Sequence, residues 1–193
     1  MKKKLLRAAA QILLVTTLVL FSSPLKLYGQ RFSISTNTLE LLNLGTINSE
    51  LGLSIAQSWS IYLQGRYNPF TFKNRSGQMQ SRQFNLSAGV RYWPWHANAG
   101  WFIMGEGGYT AYNWGGVISP TTYEGEIIGT TLGAGYALLI NKNFNIEFGL
   151  GGLIGRNSYT KYACPRCGTI LEQKKKLIIL PDNVMVQLSY IIN

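Results

Sequence analysis

From about residue 30 onward, apolar and polar side chains alternate in runs of about ten, a period of two that predicts β-strands rather than amphipathic helices. In QFNLSAGVRYW, Phe84, Leu86, Ala88, Val90 and Tyr92 fall on one face and Asn85, Ser87, Gly89 and Arg91 on the other. WSIYLQGRYN repeats this, setting Trp59, Ile61, Leu63, Gly65 and Tyr67 against Ser60, Tyr62, Gln64, Arg66 and Asn68. FNIEFGLGG and the closing VMVQLSYII do the same. Eight strands are predicted, at about 32–43, 46–57, 58–69, 81–94, 100–113, 123–140, 143–158 and 176–192. The fifth is irregular: Glu106 lies in phase with Phe102 and Met104, which a bulge or glycine break would reset.

The connections alternate too. Those after the second, fourth and sixth strands are short, whereas those after the third, fifth and seventh (about 70–81, 114–122 and 159–176) are long. An even number of antiparallel strands with this alternation predicts an all-β fold: an eight-stranded, up-and-down transmembrane β-barrel with short periplasmic turns and long outer loops. Tyr and Trp cluster near strand ends, where a lipid headgroup girdle would hold them. A soluble, lipocalin-like barrel is the structural rival, but it would carry a charged exterior.

The first 29 residues modify the picture. MKKKLLRAAAQILLVTTLVLFSSPLKLYG has a basic start, an apolar run too short to span a bilayer and a small-residue end, so 1–29 reads as a signal peptide and 30–193 as the barrel. Its removal takes away Lys2, Lys3, Lys4, Arg7 and Lys26 and halves the formal charge of +10, leaving little support for nucleic-acid binding. Only 13% of residues are charged, and the mature chain offers no helix-sized apolar stretch, so residence in a membrane requires a closed barrel. The predicted location is the bacterial outer membrane, with outer-membrane lipid as one partner.

Several stretches resemble an uncharacterised Bacteroidetes family, the domain-of-unknown-function family numbered 3575. They are YNPFTF (67–72), RYW (91–93), TYEGEIIGTTLGAGYA (122–137), NIEFGLGGL (145–153) and YTKYACPRCG (159–168), closing with LSYII. The resemblance covers nearly the whole mature chain and implies a small outer-membrane barrel without an established activity. Some relatives lie near genes for fimbrial subunits, which implies a link to surface-appendage assembly. The closing segment departs from the pattern in carrying LPDN where a more Gly-rich run is expected.

Candidate chemistry is sparse. Glu50, Arg66, Arg91 and Glu147 fall on polar strand faces and predict a charge network inside a narrow lumen. Lys174, Lys175 and Lys176 predict a basic patch in the last outer loop, within reach of lipid phosphates. Cys164 and Cys167 form a Cys-x-x-Cys-Gly motif without a second Cys or His pair to complete a zinc site; in an exported chain they predict a disulfide that closes a tight loop. His96, the sole histidine, belongs to a short periplasmic turn, on the wrong side of the membrane for catalysis at the outer surface. Glu124 and Glu126 share one face and are the carboxylates an enzyme would use. No cofactor is indicated, because the Gly-rich runs lack nucleotide-binding order.

These features predict a non-enzymatic structural or assembly component at the cell surface that meets a protein partner through its outer loops. Two alternatives stand beside it: a lipid- or glycan-modifying outer-membrane enzyme, and a soluble periplasmic ligand-binding barrel.

Overall fold

The computed structural model describes residues 31–43, 45–74, 77–115, 121–164 and 168–192. The expected signal peptide lies outside these residues. The elements are β1 (Phe32–Asn37), α1 (Thr38–Leu42), β2 (Ile47–Ala56), β3 (Trp59–Asn68), β4 (Thr71–Asn74), β5 (Gly77–Tyr92), β6 (Gly100–Gly115), β7 (Thr122–Leu139), β8 (Phe144–Tyr162) and β9 (Ile170–Ile192).

Neighbouring strands pair antiparallel in chain order, and β1 pairs with β9, so eight strands form an up-and-down ring. The ninth, β4, prolongs β3: both pair with β5 in one unbroken register, Asn68 opposite Gln83 and Thr71 opposite Gln80. The two-residue alternation dictates the rest, since each strand must send its apolar set to one side of the wall. Here that side is the exterior. Among the described residues 23 polar side chains are buried against ten apolar ones, while Leu132, Leu150, Leu177 and Ile179 stand at least 64% exposed.

The interior is filled in layers. Toward the short turns, Trp93, Phe102, Met104, Ala137 and Met185 make an apolar plug. A polar layer around Arg91 follows, and nearer the long connections Tyr112, Ile127 and Ile178 form a second apolar cluster. Glycine makes room between strands: a Cβ on Gly89 would come within 2.6 Å of the Tyr62 ring and of a backbone oxygen.

Four expectations need correction. The first strand stops at Asn37, whose side chain accepts a hydrogen bond from the Leu39 amide and so starts a helix where the alternation read as strand. The fifth strand has no phase reset: Phe102, Met104 and Glu106 are all buried on one interior face, because the plug is apolar and the layer above it polar. The expected loop at 70–81 is mostly the β4–β5 hairpin. Most of the expected loop at 159–176 is strand, since β8 and β9 stay paired from Gly149 up to Tyr162 and Ile170.

Candidate functional site

Of the four residues expected to form a lumen network, three meet. Arg91 sends Nη2 to Glu50 Oε2 at 2.8 Å and Nη1 to Glu147 Oε2 at 3.4 Å. Gln187 donates to Glu50 at 3.0 Å and Ser189 to Glu147 at 2.9 Å, so the carboxylates also accept neutral hydrogen bonds. The guanidinium lies 4.4 Å from the Tyr62 ring centroid and 5.2 Å from that of Phe102. Arg91, Glu50 and Glu147 come from β5, β2 and β8, and they turn inward because each occupies the polar phase of its strand.

Arg66 faces the interior but joins a different group. Its Nε lies 3.0 Å from Glu40 and its Nη1 3.7 Å from Asp182, while Nη2 donates to Asn183 at 3.2 Å and to Gln64 at 3.0 Å. Asn183 in turn donates to Glu106 at 3.4 Å, and Tyr62 donates to the other Glu106 oxygen at 2.8 Å. Glu40 and Glu106, scattered carboxylates whose ordinary role is to face lumen arginines, join this group, and Asp182 joins it without a signal in the alternation. Glu40 reaches inward only because α1 turns in at Asn37, and Asp182 lies where the β8–β9 register shifts between Gly149 and Gly151. Glu106 did carry a signal, its phase with Phe102 and Met104.

The three lysines do not form one loop patch. All lie on β9, where successive side chains alternate in direction. Lys174 pairs with Glu172; this hydrogen-bonded contact lowers the Glu172 pKa and raises that of Lys174. Lys175 is opposite Ser158, and Lys176 lies 5.3 Å from the centroid of Tyr159. Three consecutive charges suggest a solvated loop, whereas backbone pairing with β8 carries the hairpin onward. Lys161 adds another cation at this rim, 5.4 Å from the Tyr123 ring.

Glu124 and Glu126 share a groove of about 570 Å³ with Tyr109, Ser158 and Lys175. Tyr109 donates to Glu126 at 3.3 Å. His96 lies in the turn after β5, 3.5 Å from the Gln57 amide nitrogen. Cys164 belongs to the β8–β9 connection, and Cys167 lies outside the described residues. No cluster of metal-ligating side chains occurs among the described residues.

A second cavity, of about 160 Å³, opens inside the ring between Arg66, Glu106 and Asp182 on one side and Leu153 and Leu180 on the other. The site is thus a buried ionic interior, a small amphiphilic cavity above it and a charged rim. A search of curated proteins finds no match. A family model covers residues 14–192, nearly the whole chain, and by that match the chain belongs to DUF3575, a family of proteins of unknown function.

Proposed function

We propose that this chain is a transmembrane β-barrel of the bacterial outer membrane, acting without catalysis as a structural or assembly component at the cell surface. One observation carries the reading: burial is inverted, with ion pairs and amides inside the ring and large apolar side chains outside. Such an exterior is unfavourable in water, where apolar surface costs about 25 cal/mol per Å², and favourable in hydrocarbon. Its extent fits as well. On β8 the outward apolar residues run from Phe144 to Ile154; at roughly 3.3 Å per residue and a tilt near 40° that is about 25 Å, the height of the apolar band on such barrels.

Polar and charged groups begin where this band ends, with Arg156, Ser158, Lys175 and Glu126. That end also carries α1 and the β8–β9 connection with Cys164, and makes the natural surface for a protein partner, with surface-appendage components as the partner class the family resemblance implies. The ionic layer and the apolar plug fill the ring, which argues against solute conduction. Glu124 and Glu126 sit beside the Tyr109 hydroxyl and Lys175, an arrangement that serves interfacial anchoring better than acid–base work.

Cell fractionation with an alkaline carbonate wash tests the reading. The chain is expected in the outer-membrane pellet after the wash. Recovery in the soluble periplasmic fraction would favour the ligand-binding barrel and end the membrane reading.

A further inference from the structure

The ring closes fully only in its lower half. β1 has six residues and β9 has 23, and β1 covers β9 only from Gln187 to Ile192. Among the described residues, β9 pairs from Ile170 to Val186 with β8 alone. On the far side of the seam β2 begins at Ile47, and the β3–β4 segment beyond Tyr67 pairs only with β5. A gap in backbone pairing therefore separates β9 from β2 and β3 toward the end that carries the β8–β9 connection, and α1 lies across it as a side-chain-held flap.

Side chains hold this seam. Thr38 Oγ1 donates to the Val186 carbonyl at 2.7 Å and Asn37 Nδ2 to the Val184 carbonyl at 3.3 Å. Arg66 spans it to Asp182 and Asn183 and also grips Glu40 of α1. The free edge of β9 is poorly suited to pairing with an added strand, because Pro181 has no N–H to offer and Asn183 takes a φ of 53°. A lipid-like molecule suits it better, since Leu180 and Ile179 flank the gap and Leu41 and Leu42 of α1 are exposed.

The gap adjoins the cavity, which Leu180, Asp182 and Arg66 also line. Its inner wall holds Ser87, 3% exposed, whose Oγ has no hydrogen-bond partner among the described residues, and the Oδ1 of Asn85, which has none among them either. A buried hydroxyl and amide oxygen in this state favour a ligand that donates hydrogen bonds. Near them one guanidinium, Arg66, stands among three carboxylates, Glu40, Glu106 and Asp182, a balance that disfavours an anionic group. At about 160 Å³ the cavity takes a group of some six heavy atoms, as a benzene-sized cavity of about 150 Å³ does.

From this we infer that the cavity binds the small, uncharged, hydroxylated head of a single-chain amphiphile, a monoacylglycerol-like lipid whose chain leaves through the β9–β2 gap into the bilayer. The inference rests on the membrane reading, and one fluorescence experiment separates the two. Trp114 lines the cavity at its outer end and is 40% exposed, whereas Trp101 stands on the outer wall, 57% exposed. The full chain is reconstituted in phosphatidylcholine vesicles as wild type, Trp101→Phe, Trp114→Phe and Ser87→Leu.

Chain-brominated phosphatidylcholine is expected to quench wild type, with part of the quenching lost in Trp101→Phe; its failure to quench any form would remove the membrane reading and the inference together. A monoacylglycerol brominated close to its head is expected to give an additional, saturable quenching that disappears in Trp114→Phe and in Ser87→Leu. Quenching by the bulk lipid without this component would overturn the inference and spare the membrane reading. Equal saturable quenching by a brominated fatty-acid anion would overturn the assignment of an uncharged head. Because the Trp114→Phe comparison does not depend on Ser87→Leu, the test survives a folding defect in that variant.

Discussion

Arg91 shows how a single side chain can govern this interior. It is 4% exposed and faces two carboxylates, each buried to a similar degree. Removing one partner of such a group leaves the others charged and unpaired, at a cost of about 3–5 kcal/mol. Arg91→Met is therefore expected to lower the guanidinium unfolding midpoint of the micelle-bound protein substantially. The triple variant Arg91→Met, Glu50→Gln, Glu147→Gln should recover most of the loss, because it removes the stranded charges. A single variant as stable as wild type would mean that the layer is not an ionic unit. That these three residues meet was legible in the sequence, since the alternation puts each on the polar face. The partners of Arg66 were not: Glu40 depends on a helix and Asp182 on a register shift, and neither leaves a periodic trace.

At the scale of elements, the seam turns on Asn37. It caps α1 by accepting from the Leu39 amide at 3.1 Å, accepts from the Val186 amide at 3.2 Å and donates to Glu40 at 3.1 Å. Asn48 brackets its backbone with two more hydrogen bonds, at 2.6 and 2.9 Å. In sequence, Leu39, Glu40 and Leu41 alternate and so read as strand, although out of phase with Phe32 and Ile34; the helix forms because these distant groups reward a turn at one position. Losing a cap costs about 1 kcal/mol and stranding a buried amide about 1–3 kcal/mol. Asn37→Ala should therefore accelerate hydrogen exchange at the Val186 amide by at least tenfold, while the Gln187–Ile192 ladder to β1 keeps its protection. Equal acceleration along the whole ladder would show that β1 and α1 open together and that Asn37 is no local latch. The β8–β9 hairpin teaches the complementary lesson: Glu172, Lys174, Lys175 and Lys176 looked like loop, but a strand that rises beyond the apolar band can carry charge on both faces.

For the whole molecule, the alternation revealed two faces and a closed set of eight antiparallel strands, but not which way the faces turned; that depended on how little charge the polar face had to hold. The inverted arrangement makes a quantitative prediction by depth. Leu150 sits on the outer wall near the middle of the β8 apolar run, 67% exposed, and Ile55 lies at the short-turn end of β2, 46% exposed. In water, an exposed Leu→Arg or Ile→Arg change stays within about 0.5 kcal/mol. In a bilayer, arginine costs about 2–4 kcal/mol near the mid-plane and about 0–1 kcal/mol near an interface. Leu150→Arg should therefore destabilise the vesicle-embedded protein by about 2–4 kcal/mol in denaturant unfolding, and Ile55→Arg by less than about 1 kcal/mol. Equal, small effects at both positions would mean that the exterior faces water, because only hydrocarbon makes the cost of a charge depend on its height along the wall.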